Sequence, residues 1–269
     1  MSELKNPLDV YKLLPKNNCG QCYLPTCLAF SAAVVSGGKK LADCPHLDPA
    51  VIAKFSGGGR ATTLYDVQLA EKLDILKESV SRLDFAKTAA KIGAELVGDK
   101  IVVKSLGKNF TIDTLGNITS ECHTHPGLAI PLLSYLSESS GKDVTGHWVP
   151  FRELKNGSAM NALFVKRGEQ RLRKLADDHP DLFADLLSIF SGHIPENDFA
   201  ADMSLALYPL PKVPVMICYW QPEDDLESRL NIFFDRSAED HLRIESIFAL
   251  GVGMVMMFEK IALKHAAVK

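Results

Sequence analysis

Long apolar runs are missing from this 269-residue chain. The longest nearly uninterrupted one, Ile247 to Phe258, has twelve residues, against the roughly 20 that a membrane span needs. It reads as a buried core helix, and no membrane partner is expected. A surplus of positive charge is missing as well. Thirty Lys and Arg stand against 33 Asp and Glu, a formal net charge of -3. Phosphates have no general basic field to hold them, so no nucleic-acid partner is expected. Met1 to Pro7 shows no apolar core of a secretory signal, which makes the cytoplasm the expected compartment. The chain also lacks internal repeats and low-complexity tracts. It has no nucleophile elbow, phosphate loop, dinucleotide fingerprint or zinc-protease motif. With 46% hydrophobic and 23% charged residues, the composition is that of an ordinary globular protein.

Cysteine is unevenly placed. Four of six cysteines, Cys19, Cys22, Cys27 and Cys44, fall in the first 44 residues. In a reducing compartment, clustered thiols point to metal ligation before disulfides. The spacing is Cys19-x2-Cys22-x4-Cys27-x16-Cys44, followed by Pro45. Four thiolates can close the coordination of a [4Fe-4S] cube, one per iron. Asn17, Asn18 and Gly20 tolerate the tight turn that Cys19 and Cys22 require. Pro25-Thr26 opens a helix with Cys27 in its first turn, whose positive end would face an anionic cluster. A four-cysteine zinc site usually uses two close pairs, which fits this spacing poorly but stays open. Reduced structural or redox thiols are the remaining alternative.

The run Leu14-Pro15-Lys16-Asn17-Asn18-Cys19-Gly20-Gln21-Cys22-x-x-Pro25-Thr26-Cys27-Leu28-Ala29-Phe30, with Cys44-Pro45 one helix later, resembles a known module. It is similar to the N-terminal iron–sulfur module of the corrinoid iron–sulfur protein large subunit, which recurs in the B subunit of ion-pumping ferredoxin oxidoreductase complexes. The resemblance spans about 45 residues. It implies one [4Fe-4S] cluster on Cys19, Cys22, Cys27 and Cys44 and the passage of single electrons. It goes no further. The remaining chain has no Asp-x-His-x-x-Gly corrinoid signature and no further ferredoxin-like cysteine runs. Asp143 to Leu154, and Pro211 to Pro214 on through Asn231 to Asp235, resemble a domain-of-unknown-function family of anaerobic prokaryotes.

Ser56-Gly57-Gly58-Gly59-Arg60 reads as a flexible linker. The expected division is a cluster-binding module at 1–58 and a larger domain at 62–269. Apolar residues Val67, Leu69, Ala70, Leu73, Leu76 and Val80 recur at helical spacing. A second helix is expected from Asp84 to Ile92, stopped by Gly93. Lys100 to Ser105 and Asn109 to Asp113 predict a hairpin. Leu128 to Leu136 reads as a helix, and 158–191 as two or three more, broken at His179-Pro180. Strands follow at Met203 to Tyr208, Val213 to Trp220 and Ser228 to Phe234. A last helix is expected from Ala238 to Lys264. The order is not a regular β-α-β alternation. The fold class expected is α+β: a small, mostly helical and loop module, then a larger domain with an antiparallel sheet packed by helices.

The larger domain offers several candidate features, three of them rich in charged or metal-binding side chains. Cys122-His123-Thr124-His125 offers Cys122, His123 and His125 as a second metal or axial cofactor ligand set, against a polar loop. Lys166, Arg167, Arg171, Arg173 and Lys174 form a basic run that could dock an acidic redox partner or a phosphate-bearing ligand, against a solvated helix face. Glu223, Asp224, Asp225 and Glu227 lack the spacing of a calcium loop and read as a turn. The function expected is one-electron transfer between the cluster and a redox partner protein or a corrinoid or other cofactor. Two alternatives stand beside it: a redox enzyme binding a substrate or tetrapyrrole-like cofactor, and an iron or oxygen sensor or assembly factor.

Overall fold

A computed structural model describes residues 6–35, 38–55, 64–120, 126–190, 192–193, 199–223 and 226–266. The chain divides into two compact units, residues 1–70 and 71–269. The glycine-rich Ser56 to Arg60 lies outside the described residues.

The first unit is built from short helices. α1 (Pro7–Leu13) starts on a proline, and the Asn6 side chain caps it by accepting from the Leu8 N–H at 3.0 Å. α2 (Cys27–Val35) packs against α1. A single 3-10 turn, Leu41–Asp43, precedes α3 (Pro49–Phe55), where the Asp48 carboxylate accepts from the Ala50 N–H at 2.8 Å. Val10, Leu14, Phe30, Leu41 and Leu47 form one core together with Cys22, Cys27 and Cys44. Phe30 is 1% exposed, and burying such a side chain stabilises by about 1.5–3 kcal/mol. The cysteines therefore belong to the hydrophobic core of this unit.

α4 (Leu64–Ser81) spans the division between the units, and its part in the second unit buries Leu76 and Val80. α5 (Phe85–Ile92) is capped by Asp84, which accepts from the Lys87 N–H at 3.1 Å, and ends at Gly93 in the left-handed conformation. A meander follows: β1 (Glu95–Val97), β2 (Lys100–Ser105), β3 (Lys108–Ile112) and β4 (Ile118–Thr119), antiparallel and in chain order. Ser105 pairs with Lys108, so the β2–β3 turn holds only Leu106 and Gly107, both at positive φ. α6 (Pro126–Glu138) and β5 (Trp148–Pro150) come next. α7 (Asn161–Phe164) runs through one π turn, Val165–Glu169, into α8 (Gln170–Asp178), and α9 (Pro180–Ile189) restarts after His179. β6 (Met203–Leu210), β7 (Val213–Trp220) and β8 (Arg229–Asp235) join β5 in a second antiparallel sheet ordered β5-β8-β7-β6. β7 is an inner strand and buries Val213 through Tyr219. α10 (Ala238–His241) and α11 (Ile244–Ala266) close the chain, and α11 packs on α6.

The fold is a mixture of helices and antiparallel sheets, as the patterning predicts, with two differences. Among the described residues there are two four-stranded sheets rather than one. The expected single last helix is interrupted at Leu242, whose backbone is extended. The Arg243 carbonyl then accepts from Ser246 and Ile247 to start α11. Apolar spacing continues across this break, so periodicity alone does not show it. A link between the sheets comes from the Leu106 N–H, which donates to the Tyr208 carbonyl at 2.8 Å. Phe151, Phe164, Phe234 and Phe248 form an aromatic cluster, with Phe151 stacked on Phe164 at 4.3 Å between centroids. Gly251 makes room for it: a Cβ there would sit 2.9 Å from Phe164 Cε2.

Candidate metal centre

The loop between α1 and α2 is wound tightly. Lys16, Asn18, Gly20 and Tyr23 all take positive φ, between 49° and 73°. Asparagine and glycine adopt this region at low cost, and the sequence supplies them at two of the four positions. Side-chain amides hold the winding. Asn18 Oδ1 accepts from the Cys27 N–H at 2.8 Å, tying the loop to the first residue of α2. Asn17 Oδ1 accepts from the Cys19 N–H at 3.4 Å and lies 4.0 Å from Cys27 Sγ. The Tyr23 N–H donates to the Gly20 carbonyl at 2.8 Å, turning the chain between Cys19 and Cys27. Thr26 Oγ1 accepts from the Ala29 N–H at 3.0 Å and caps α2.

Cys44 arrives from the other side. The Lys40 N–H donates to Asp43 Oδ2 at 2.7 Å, and the Cys44 N–H to the Leu41 carbonyl at 3.2 Å. This turn delivers Cys44 and Pro45 opposite the loop. Cys19, Cys22, Cys27 and Cys44 all line one small cavity. Leu14, Leu24 and Phe30 form apolar wall, and Asn17, Asn18 and Thr26 polar wall. Cys19 is exposed, the other three are buried, and all four are free thiols. Among the described residues, no three His, Cys, Asp or Glu side chains converge closely enough to hold a single metal ion. Four thiols around one cavity are a donor set of the kind that holds an iron–sulfur group. The N-terminus of α2 carries no acidic residue in its first turn, so its positive end is unopposed beside Cys27.

The candidate features of the larger domain fare differently. Cys122, His123, Thr124 and His125 lie outside the described residues. The basic run is partly tethered: Arg171 pairs with Glu259 of α11, and Arg173 Nη1 reaches Glu227 and the Ser228 carbonyl at 3.2 Å each. Glu223 and Leu226 bridge across the turn joining β7 to β8. Cys218 is buried in β7, and burial pushes its thiol pKa up, away from a reactive thiolate.

Sequence reasoning missed a buried polar set in the second unit. Asp235, fully buried, accepts from Thr145 N and Oγ1, from Gly146 N, and from Ser237 N and Oγ, at 2.6–3.1 Å. Burial alone raises its pKa; the donors on Ser237 and Thr145 outweigh this and hold it below the ordinary 3.8. The one signal available was Asp235-x-Ser237, an Asx-turn pattern at a strand end. His241, also fully buried, has Nδ1 2.8 Å from Ser139 Oγ. Burial lowers its pKa and favours the neutral ring. Glu169, in the π turn, accepts from the Ile232 N–H at 3.0 Å, and burial raises its pKa above 4.5. Ile232 lies beyond the stretch of β8 that β5 covers, so Glu169 satisfies a strand donor left without a neighbour.

These observations define a class: an α+β protein whose N-terminal unit surrounds a cavity with four thiols. Residues 84–257, well over half the chain, match the family described as a domain of unknown function, DUF3786. The chain belongs to that family. Residues 14–46 match a second model, described as "Putative Fe-S cluster", which supports an iron–sulfur cofactor. The N-terminal segment is 51% identical over 43 residues to the corrinoid/iron-sulfur protein large subunit of Moorella thermoacetica, covering 16% of this chain and 10% of that protein. It is 44% identical over 45 residues to the acetyl-CoA decarbonylase/synthase complex subunit gamma 2 of Methanosarcina mazei, covering 17% and 10%. The Methanopyrus kandleri gamma subunit is 47% identical over 48 residues, covering 18% and 10%. The chain thus spans about a tenth of the length of these curated relatives. No solved structure matches. No helix among the described residues is long and apolar enough to cross a membrane.

Proposed function

We propose that residues 1–58 form a module holding one [4Fe-4S] cluster on Cys19, Cys22, Cys27 and Cys44, and that the chain transfers single electrons in corrinoid-linked anaerobic metabolism. Residues 62–269 would bind the partner protein or cofactor that exchanges electrons with it. One observation carries the reading: four thiols spread over 26 positions line a single cavity in the core of the first unit. When bound, the cluster supplies one-electron redox chemistry.

The chain's own residues do the rest. Asn17 braces the backbone at Cys19, and Asn18 ties the same loop to Cys27 at the start of α2. The N-terminus of α2 offsets the negative charge of four thiolates. Leu14, Leu24 and Phe30 exclude water from the inner wall, and this dryness and the local hydrogen bonds would tune the potential. The backbone N–H groups of Gly20, Gln21 and Cys22 donate to no group among the described residues, which leaves them for sulfur acceptors. The names of the N-terminal relatives support the metabolic setting, because they are subunits of corrinoid/iron-sulfur and acetyl-CoA decarbonylase/synthase assemblies.

The test is anaerobic purification with iron, sulfide and zinc analysis and EPR of the reduced chain. The expected result is about four irons and four sulfides per chain with a reducible signal. Cys44→Ala should lose the intact four-iron cluster. Colourless protein with one zinc per chain would refute the proposal.

A further inference from the structure

The charge around the cavity leans positive. Lys12, Lys16, Lys39 and Lys40 fall between Val10 and Ala42, although the whole protein is net negative. Of the acids flanking this stretch, Asp9 is ion-paired with Lys12 and Asp43 accepts from the Lys40 N–H, which leaves the Lys16 and Lys39 charges unopposed by an ion pair among the described residues. Three of these lysines stand next to the cavity in chain or in space. Lys16 precedes the lining residue Asn17. Lys39 Nζ sits 5.5 Å from the ring centroid of Tyr23, and Tyr23 lies between the lining residues Cys22 and Leu24. Lys40 is exposed just before the turn that delivers Cys44.

The same rim is apolar where a folded surface is usually polar. Tyr23 is 84% exposed and Leu28, adjacent to Cys27, is 49% exposed. The Tyr23 backbone lies at φ 62°, a conformation that a bulky residue adopts only at a cost. An exposed aromatic anchor with a rim of one charge sign is the composition of a transient interface. The most accessible of the four thiols, Cys19, opens on the solvent side of the cavity.

We propose that this rim is the docking face for an acidic redox protein, with Tyr23 and Leu28 as the apolar contact and Lys16, Lys39 and Lys40 steering the encounter. The inference rests on the cluster reading above and adds to it the partner's charge and the contact residues. Steering by exposed lysines acts on the association rate and is screened by salt over a Debye length of about 10 Å at 0.1 M.

The test is stopped-flow reduction of the iron-loaded full chain by an acidic ferredoxin, over a range of salt. The rate should fall steeply as salt rises. The double variant Lys16→Glu/Lys39→Glu should lower the low-salt rate at least tenfold with iron content and visible absorbance unchanged, while Lys108→Glu, in the β2–β3 hairpin, should change it less than twofold. Should the double variant lose iron, the wild-type chain still decides the matter through a basic cytochrome c as electron acceptor. Its rate should be flat or rising with salt. A ferredoxin rate that ignores salt, an equal loss in Lys108→Glu, or a cytochrome c rate that falls with salt would each overturn the docking face while leaving the cluster intact. A chain that takes up no iron would refute the cluster reading itself, and the docking face with it.

Discussion

Replacing Asp235 with asparagine should weaken the second unit in a way that disappears in acid. Four of the five donors to this carboxylate meet Oδ1, and the fifth, the Gly146 N–H, meets Oδ2 at 2.6 Å. Asparagine can keep an oxygen at Oδ1, but its amide nitrogen then confronts the Gly146 N–H, and the charge that strengthens the other four bonds is gone. Hydrogen bonds to charged groups are worth about 1.5–3 kcal/mol each and do not add. The expected loss is about 2–3 kcal/mol for Asp235→Asn and roughly 4–5 kcal/mol for Asp235→Ala. For a unit of this size, 1 kcal/mol moves the melting midpoint by about 2–4 °C, so Asp235→Asn should melt about 4–12 °C lower. The chain's two tryptophans, Trp148 and Trp220, both lie in this unit, and Trp148 pairs with Asp235 itself. Their fluorescence during urea unfolding therefore reports on the right structure. Because the folded pKa lies below 3.8, the carboxylate's contribution is fully present above that value and is lost as pH falls through the folded one. The gap between wild type and Asp235→Asn must narrow in that window. A gap under about 0.5 kcal/mol at neutral pH, or one that stays constant into acid, would show that the reasoning is wrong.

Two further outcomes follow from the same unit. Gly157→Ala places a Cβ 1.9 Å from the Phe151 carbonyl oxygen; since this is backbone, it should cost about 3 kcal/mol or more in urea unfolding, and a neutral result would refute the close approach. Glu169 has its pKa raised by burial above 4.5, so its favourable contribution holds below the unfolded value and is lost as pH rises through the folded one. Glu169→Gln keeps an acceptor for the Ile232 N–H and removes that loss. The variant should gain on wild type as pH rises from about 4 towards 8, and a pH-independent difference in urea midpoints would count against the buried charge.

Elements with a strong local rule were legible in the sequence. α5 had an aspartate cap and a glycine stop, and the β2–β3 hairpin had a glycine turn. The cysteine spacing was legible for the same reason: the cavity is made by turns whose Asn, Gly, Pro and Thr residues are themselves local signals. Other features depend on distant partners. β1 has all three residues exposed, so it shows no alternation and exists because β2 pairs with it. β4, two residues long, is held by β3. The break at Leu242 and the π turn ending in Glu169 are set by packing and by one unpaired strand N–H, which no single-segment pattern contains. Asp235 draws its donors from residues 145 and 146 as well as from Ser237, and only its Asx turn is local.

The pairing of β5 with β8 has a consequence for how the chain is made. Trp148 cannot find its neighbour until Asp235 has been synthesised, so the second sheet closes late and over a long loop. The core of the thiol-lined unit is drawn from residues 10–55, and N-terminal segments fold first during synthesis. All four thiols that line its cavity are therefore synthesised while most of the polypeptide is still on the ribosome, so a group that bridges them can be gathered before the second sheet can close.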